Sequence, residues 1–69
     1  MQDIPTYQAE HRSLKASNGK LHAEVWRLSR ERDASTAISA TRKQIEANSR
    51  RMRTIEYLVR WLQSHGAQL

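Results

Sequence analysis

Apolar side chains recur along most of this chain at alternating spacings of three and four. One series runs Ile4, Tyr7, His11, Leu14, Asn18, Leu21, Val25 and Leu28; a second runs Ile38, Thr41, Ile45, Asn48, Met52, Ile55, Val59 and Leu62. That rhythm holds one stripe on one face of a helix and is the heptad pattern of a coiled-coil seam. The two series do not join in phase. Continued past Leu28, the first would place Arg32, Ser35, Ser39 and Arg42 on the seam, all of them polar, whereas the second begins at Ile38. Phase is lost where helix propensity is weakest. In Asp33-Ala34-Ser35-Thr36, three of the four residues prefer caps and turns to helix interiors. The pattern therefore predicts one helix over about residues 6–32, a turn at about 33–35 and a second helix over about 36–64, with Ser35 or Asp33 capping the second. No alternating strand pattern appears.

The few helix breakers fit this division. Pro5 suits a first helical turn, with Asp3 or Thr6 as its N-cap, and Ser64-His65-Gly66 reads as a stop with Gly66 at the residue after the cap. Asn18-Gly19 is a strong turn signal inside the first series. Because the seam stays in phase across it, the expectation is a helix locally strained or kinked at Gly19, which costs about 1 kcal/mol relative to alanine.

If the chain folds back near Asp33, the two seams pair antiparallel through a short connection. Leu28 then faces Ile38, Leu21 faces Ile45, Asn18 faces Asn48 and Ile4 faces Leu62. Two facing amides satisfy each other and fix register, whereas a single amide facing leucine is costly. The predicted fold is all-α, a single domain built as an antiparallel helical hairpin with coiled-coil seams and completed by oligomerisation. The alternative is a long parallel coiled coil with a phase slip near residue 34. The expected intrachain seam comprises Leu14, Asn18, Leu21, Val25, Leu28, Ile38, Thr41, Ile45, Asn48, Met52, Ile55, Val59 and Leu62.

Size and composition sharpen the case for a partner. A core built from 69 residues is small, and scaffolds of this length commonly add disulfides, a metal or a second chain. Cysteine is absent, which removes disulfides and thiolate metal sites, and His11, His22 and His65 stand too far apart to suggest a ligand set. His22-Ala23-Glu24 has the histidine–glutamate spacing of zinc deaminases, but that chemistry needs a cysteine pair as well. No phosphate-binding glycine loop, metalloprotease motif or nucleophile triad occurs. The chain is thus expected to be no enzyme and to need no cofactor and no metal. The longest run of large apolar residues, Tyr57-Leu58-Val59, is far too short to span a bilayer, and Gln2 excludes myristoylation. A soluble protein, intracellular or part of a larger particle, is the default expectation.

Charge and aromatic residues suggest the surfaces that act. The net charge is +5, and most of it is concentrated: residues 42–60 hold Arg42, Lys43, Arg50, Arg51, Arg53 and Arg60 against Glu46 and Glu56, whereas residues 1–41 hold six bases and five acids. Those six bases are candidate contacts to phosphate or to an acidic partner, although the pairs Glu46–Arg50 and Glu56–Arg60 also suit an ordinary solvated helix face. Trp26, Tyr57, Leu58 and Trp61 fall outside the seams, so the apolar stripe widens and predicts a partner or oligomer face. The expected function is a non-enzymatic helical assembly or adaptor protein acting through coiled-coil contacts, self-associating or a small subunit of a larger complex. The alternative is a basic helical regulator that binds nucleic acid.

Overall fold

The computed structural model describes residues 2–66 and folds them into two antiparallel helices, α1 (Ile4–Leu28) and α2 (Ser35–Ser64), joined by residues 29–34. The result is a helical hairpin 53 Å long and 14 Å across in both other directions.

α1 begins at Asp3. Its backbone is extended, with φ −79° and ψ 167°, and its carboxylate accepts the Thr6 N–H at 2.8 Å. Of the two candidate caps, Asp3 therefore holds the position, and Pro5 occupies the first turn, where a missing N–H costs nothing. The hydrogen bond from Thr6 holds the Asp3 carboxyl below its ordinary range. The helix runs without interruption through Asn18-Gly19. The Asn18 side chain is committed across the interface and so is not free to form a local turn, while a β-carbon at Gly19 would meet nothing within 4 Å.

α1 stops four residues earlier than the sequence pattern suggests, at Leu28 rather than near residue 32. Leu28 is its last buried residue, and a further turn would add only Arg32 to the seam. The Ser29 hydroxyl donates back to the Trp26 carbonyl at 2.7 Å, and the next amides close tighter turns, Arg30 to Arg27 at 3.3 Å and Glu31 to Leu28 at 3.0 Å. The connection is correspondingly longer than expected. Asp33 takes the left-handed conformation, φ 57°, which reverses the chain. Neither Ser35 nor Asp33 caps α2. Ala34 stands at the cap with no side-chain hydrogen bond, its carbonyl accepts the Ile38 N–H at 2.8 Å, and its methyl group is buried under the turn. Burial of a small apolar residue is favoured there over a side-chain cap. The far end of α2 follows the expected stop: His65 is the C-cap and Gly66 is left-handed, φ 68°.

The two helices bury one line of contact. Every position of the two seams is buried or half-buried, and the other described residues that are not exposed are Glu10, Glu24, Ala34, Ser49 and Leu58. Tyr7, Ile55 and Leu62 form the core at the open end, with Ile4, Leu14, Leu58 and Val59 packed against them; Leu28 and Ala34 close the turn end. Among the described residues only Ile55, at 1% exposure, is almost wholly enclosed. Two cylinders touch along a single seam, so Leu14, Leu21, Val25, Ile38, Ile45, Met52 and Val59 keep part of their apolar surface in water.

Candidate interaction surface

A polar layer in the middle of the seam sets the register. The Asn48 side-chain amide donates to the Asn18 carbonyl oxygen at 3.0 Å, and the Asn18 amide donates to the Ser49 hydroxyl at 3.2 Å. Gln44 donates to the Asn48 carbonyl at 3.1 Å from the rim. Both asparagines are buried, and no buried side-chain nitrogen or oxygen among the described residues lacks a partner. Slipping either helix by one turn would break this layer and leave amides against leucine or methionine.

Two polar side-chain ties flank the open half. Arg51 makes a forked pair with Glu10 across the helices, at 2.6 and 3.1 Å, and lies 5.9 Å from the Tyr7 ring centre. The hydrogen bond from Arg51 holds the Glu10 carboxyl below its ordinary range, and Glu10 raises the guanidinium in turn. On the other flank His11 Nε2 lies 3.3 Å from Glu56. Arg51, one of the six candidate contacts to phosphate or an acidic partner, is thus engaged within the chain, because the facing register sets Glu10 on the same flank. Arg50 is also engaged, with Glu46 at 2.6 Å. Among the described residues, Arg42, Lys43, Arg53 and Arg60 have no acidic partner within ion-pair distance.

The aromatic residues do not form one surface. Tyr57 and Trp61, at 66% and 40% exposure, lie one turn apart at the open end of α2 beside half-buried Leu58. The Trp61 ring stacks on His65 with centroids 4.1 Å apart, and the His65 ring nitrogen Nδ1 lies 2.8 Å from the Trp61 carbonyl. Trp26, at 64% exposure, sits near the turn under the Arg30 guanidinium, 4.9 Å away. With Asn18 level with Asn48, Trp26 and Trp61 are separated by about 30 Å along the axis at ~1.5 Å per residue. The expected face of Trp26, Tyr57, Leu58 and Trp61 is thus divided. Heptad counting gives angular position alone; the fold-back sends the two parts to opposite ends.

Along the His11–Glu56 flank at the open end lies a shallow groove of about 550 Å³, floored by Ile55 and Val59 and edged by His11 and Arg12 on one helix and Glu56 and Arg60 on the other. Among the described residues no three of histidine, cysteine, aspartate and glutamate come together as a metal site, and no helix is long and apolar enough to cross a membrane. Comparison with protein-family models, with curated proteins and with solved structures finds no match to this chain.

Proposed function

We propose that this chain is a non-enzymatic assembly or adaptor protein that acts through coiled-coil helix–helix contacts, self-associating or serving as a small subunit of a larger complex. The observation that carries the reading is the Tyr57, Leu58 and Trp61 edge. Two large aromatic rings stand well exposed and continuous with a half-buried leucine, so the apolar stripe of α2 extends sideways past what α1 covers. Apolar surface of this kind on a small rod is stabilised by burial against another helix. The half-exposed seam residues along both helices support the same reading, since a neighbouring hairpin would take that surface out of water.

The direct experiment is solution mass by light scattering, for the natural chain and for a Tyr57→Ser/Trp61→Ser variant. The natural chain is expected as a discrete oligomer, and the variant as a smaller species that keeps its helical circular dichroism. A natural chain that stays monomeric at every concentration would remove self-association from the proposal. A variant of unchanged mass would remove this edge from the interface.

A further inference from the structure

We propose that one flank of the hairpin, carrying Arg12 and Lys15 of α1 with Arg42, Arg53 and Arg60 of α2, is a sequence-independent binding face for the phosphate backbone of nucleic acid. This face goes beyond the assembly edge and meets it only where Arg60 borders Tyr57 and Trp61.

Helical spacing first places these bases. Arg53 and Arg60 are seven residues apart and Arg42 and Arg53 eleven, close to two and three whole turns, so the three stand in one line along α2. Arg12 and Lys15 are likewise neighbours on α1. The fold then joins the two lines, since Arg12 and Arg60 border the same groove. The Asn18–Asn48 register sets Arg12 level with residue 54, beside Arg53. Arg12, Lys15, Arg53 and Arg60 therefore fall within about 14 Å along the axis, and Arg42 extends the stripe to about 27 Å at ~1.5 Å per residue.

Ion pairing leaves this flank positive. All five side chains are exposed, and among the described residues none has an acidic partner. Of the two acids on the same side, Glu46 is ion-paired with Arg50 at 2.6 Å and Glu56 lies 3.3 Å from His11 Nε2, so the five bases outnumber the acids there. Glu10, Glu24 and Glu31 lie on the opposite flank, bound by Arg51 and Arg27. Arg12, Lys15, Arg42, Arg53 and Arg60 thus form a positive stripe along one edge of a rod.

The chemistry of the stripe favours a phosphate polymer over a lipid surface. Four of its five bases are arginine, whose planar fork suits phosphate oxygens. A duplex presents one charge per ~1.7 Å of axis, so a stripe of this length meets several phosphates at once. Membrane-surface helices present a continuous apolar face. Here the stripe carries Gln8, Ser39 and Gln63 and two separate exposed rings, Tyr57 between Arg53 and Arg60 and Trp26 eleven residues beyond Lys15.

The test is fluorescence anisotropy with a labelled mixed-sequence DNA duplex, titrated over a range of salt. Each phosphate contact contributes about 0.9 to the slope of log K against log salt. The natural chain is expected to give a slope of about −3 to −4.5 for three to five contacts. Arg53→Gln/Arg60→Gln should make that slope shallower by about 1.8. Lys20→Gln/Arg27→Gln, which removes the same charge from the opposite flank, should leave it nearly unchanged. Both variants should retain the natural helicity and solution mass, which separates this result from any failure of the assembly reading. Absence of binding at low salt, or equal losses in the two variants, would overturn the proposal. Preference for phosphatidylserine vesicles over the duplex would overturn it in favour of a membrane surface.

Discussion

Asn18 and Asn48 are the two polar residues that the seam buries, and their hydrogen bonds are unequal. Asn18 accepts from Asn48 and donates to Ser49; Asn48 donates to Asn18 and accepts from Gln44. Asn18→Leu strands the Asn48 amide N–H and removes the donor to Ser49, a loss expected at about 1–3 kcal/mol. Asn48→Leu leaves Asn18 its bond to Ser49 and should cost less. The double leucine variant should recover most of the loss while loosening register, because an apolar pair replaces a satisfied polar one. Urea denaturation of the four proteins measures this coupling, and simple additivity of the two single changes would be incompatible with the paired layer. Glu10 carries a pH dependence. Its carboxyl is depressed by the Arg51 hydrogen bond. Its contribution to stability is therefore fully present above the ordinary value of 4.5 and lost as pH falls through the lowered native value. Asp3 at the N-cap acts in the same direction. The melting temperature should fall as pH drops below the carboxylate range, and Glu10→Gln should flatten that fall, as thermal melts across an acid series would register.

Helix boundaries in this chain follow burial more than intrinsic cap preference. α1 ends at its last buried leucine, and α2 begins behind buried Ala34 with no side-chain cap although serine and aspartate stand on either side. Both ends at the turn are therefore improvable. An aspartate or serine at position 34 would gain a cap, typically worth about 0.5–2 kcal/mol, and lose the buried methyl. The pairing of the two elements is tested by cysteines at facing positions. In the observed register Leu21 faces Ile45, and closely packed seam positions can reach the Cα separation of roughly 4.4–6.8 Å that a disulfide accepts. Leu21→Cys/Ile45→Cys should form an intrachain bridge under mild oxidation and run as a monomer on non-reducing gels. In one continuous rod the same positions would stand on the order of 36 Å apart at 1.5 Å per residue, and only interchain bridges would form.

A rod 53 Å long and 14 Å thick has nearly all its side chains within reach of water. The core of Tyr7, Ile55 and Leu62 lies at one end, the asparagine layer in the middle, and Leu28 with Ala34 at the turn. Such a hairpin gains stability from any neighbour that covers its half-exposed seam. Under the assembly reading, melting should be cooperative and should shift upward with protein concentration, as mass action requires when the core is completed between chains. Calorimetry across a wide range of concentration measures this, and a melt independent of concentration would mean that the hairpin is stable alone. The two proposed surfaces meet at the open end of α2, where Arg60 borders Tyr57 and Trp61, and diverge from there: the Glu10–Arg51 tie lies on one flank, and Arg12, Lys15, Arg42 and Arg53 lie on the other.

Helix content, the break between the two seams and the meeting of Asn18 with Asn48 were legible because heptad periodicity is local and repeats many times; short-range spacing alone places a residue on one stripe. The N-cap at Asp3 and the stop at Gly66 were legible for the same reason, since each rests on contacts within a few residues. The end of α1 at Leu28 and the uncapped start of α2 were not, because both depend on what the turn buries. Nor was the partition of charge. Glu10 and Arg51 are 41 residues apart, and only the fold-back brings them together, removing Arg51 from the set of free bases and adding Arg12 and Lys15 beside Arg53 and Arg60. Trp26 was separated from Tyr57 and Trp61 by the same reversal. Angular position on a helix is a property of the sequence. Axial level, and hence which charges neutralise each other and which stand together on a surface, is a property of the packed pair.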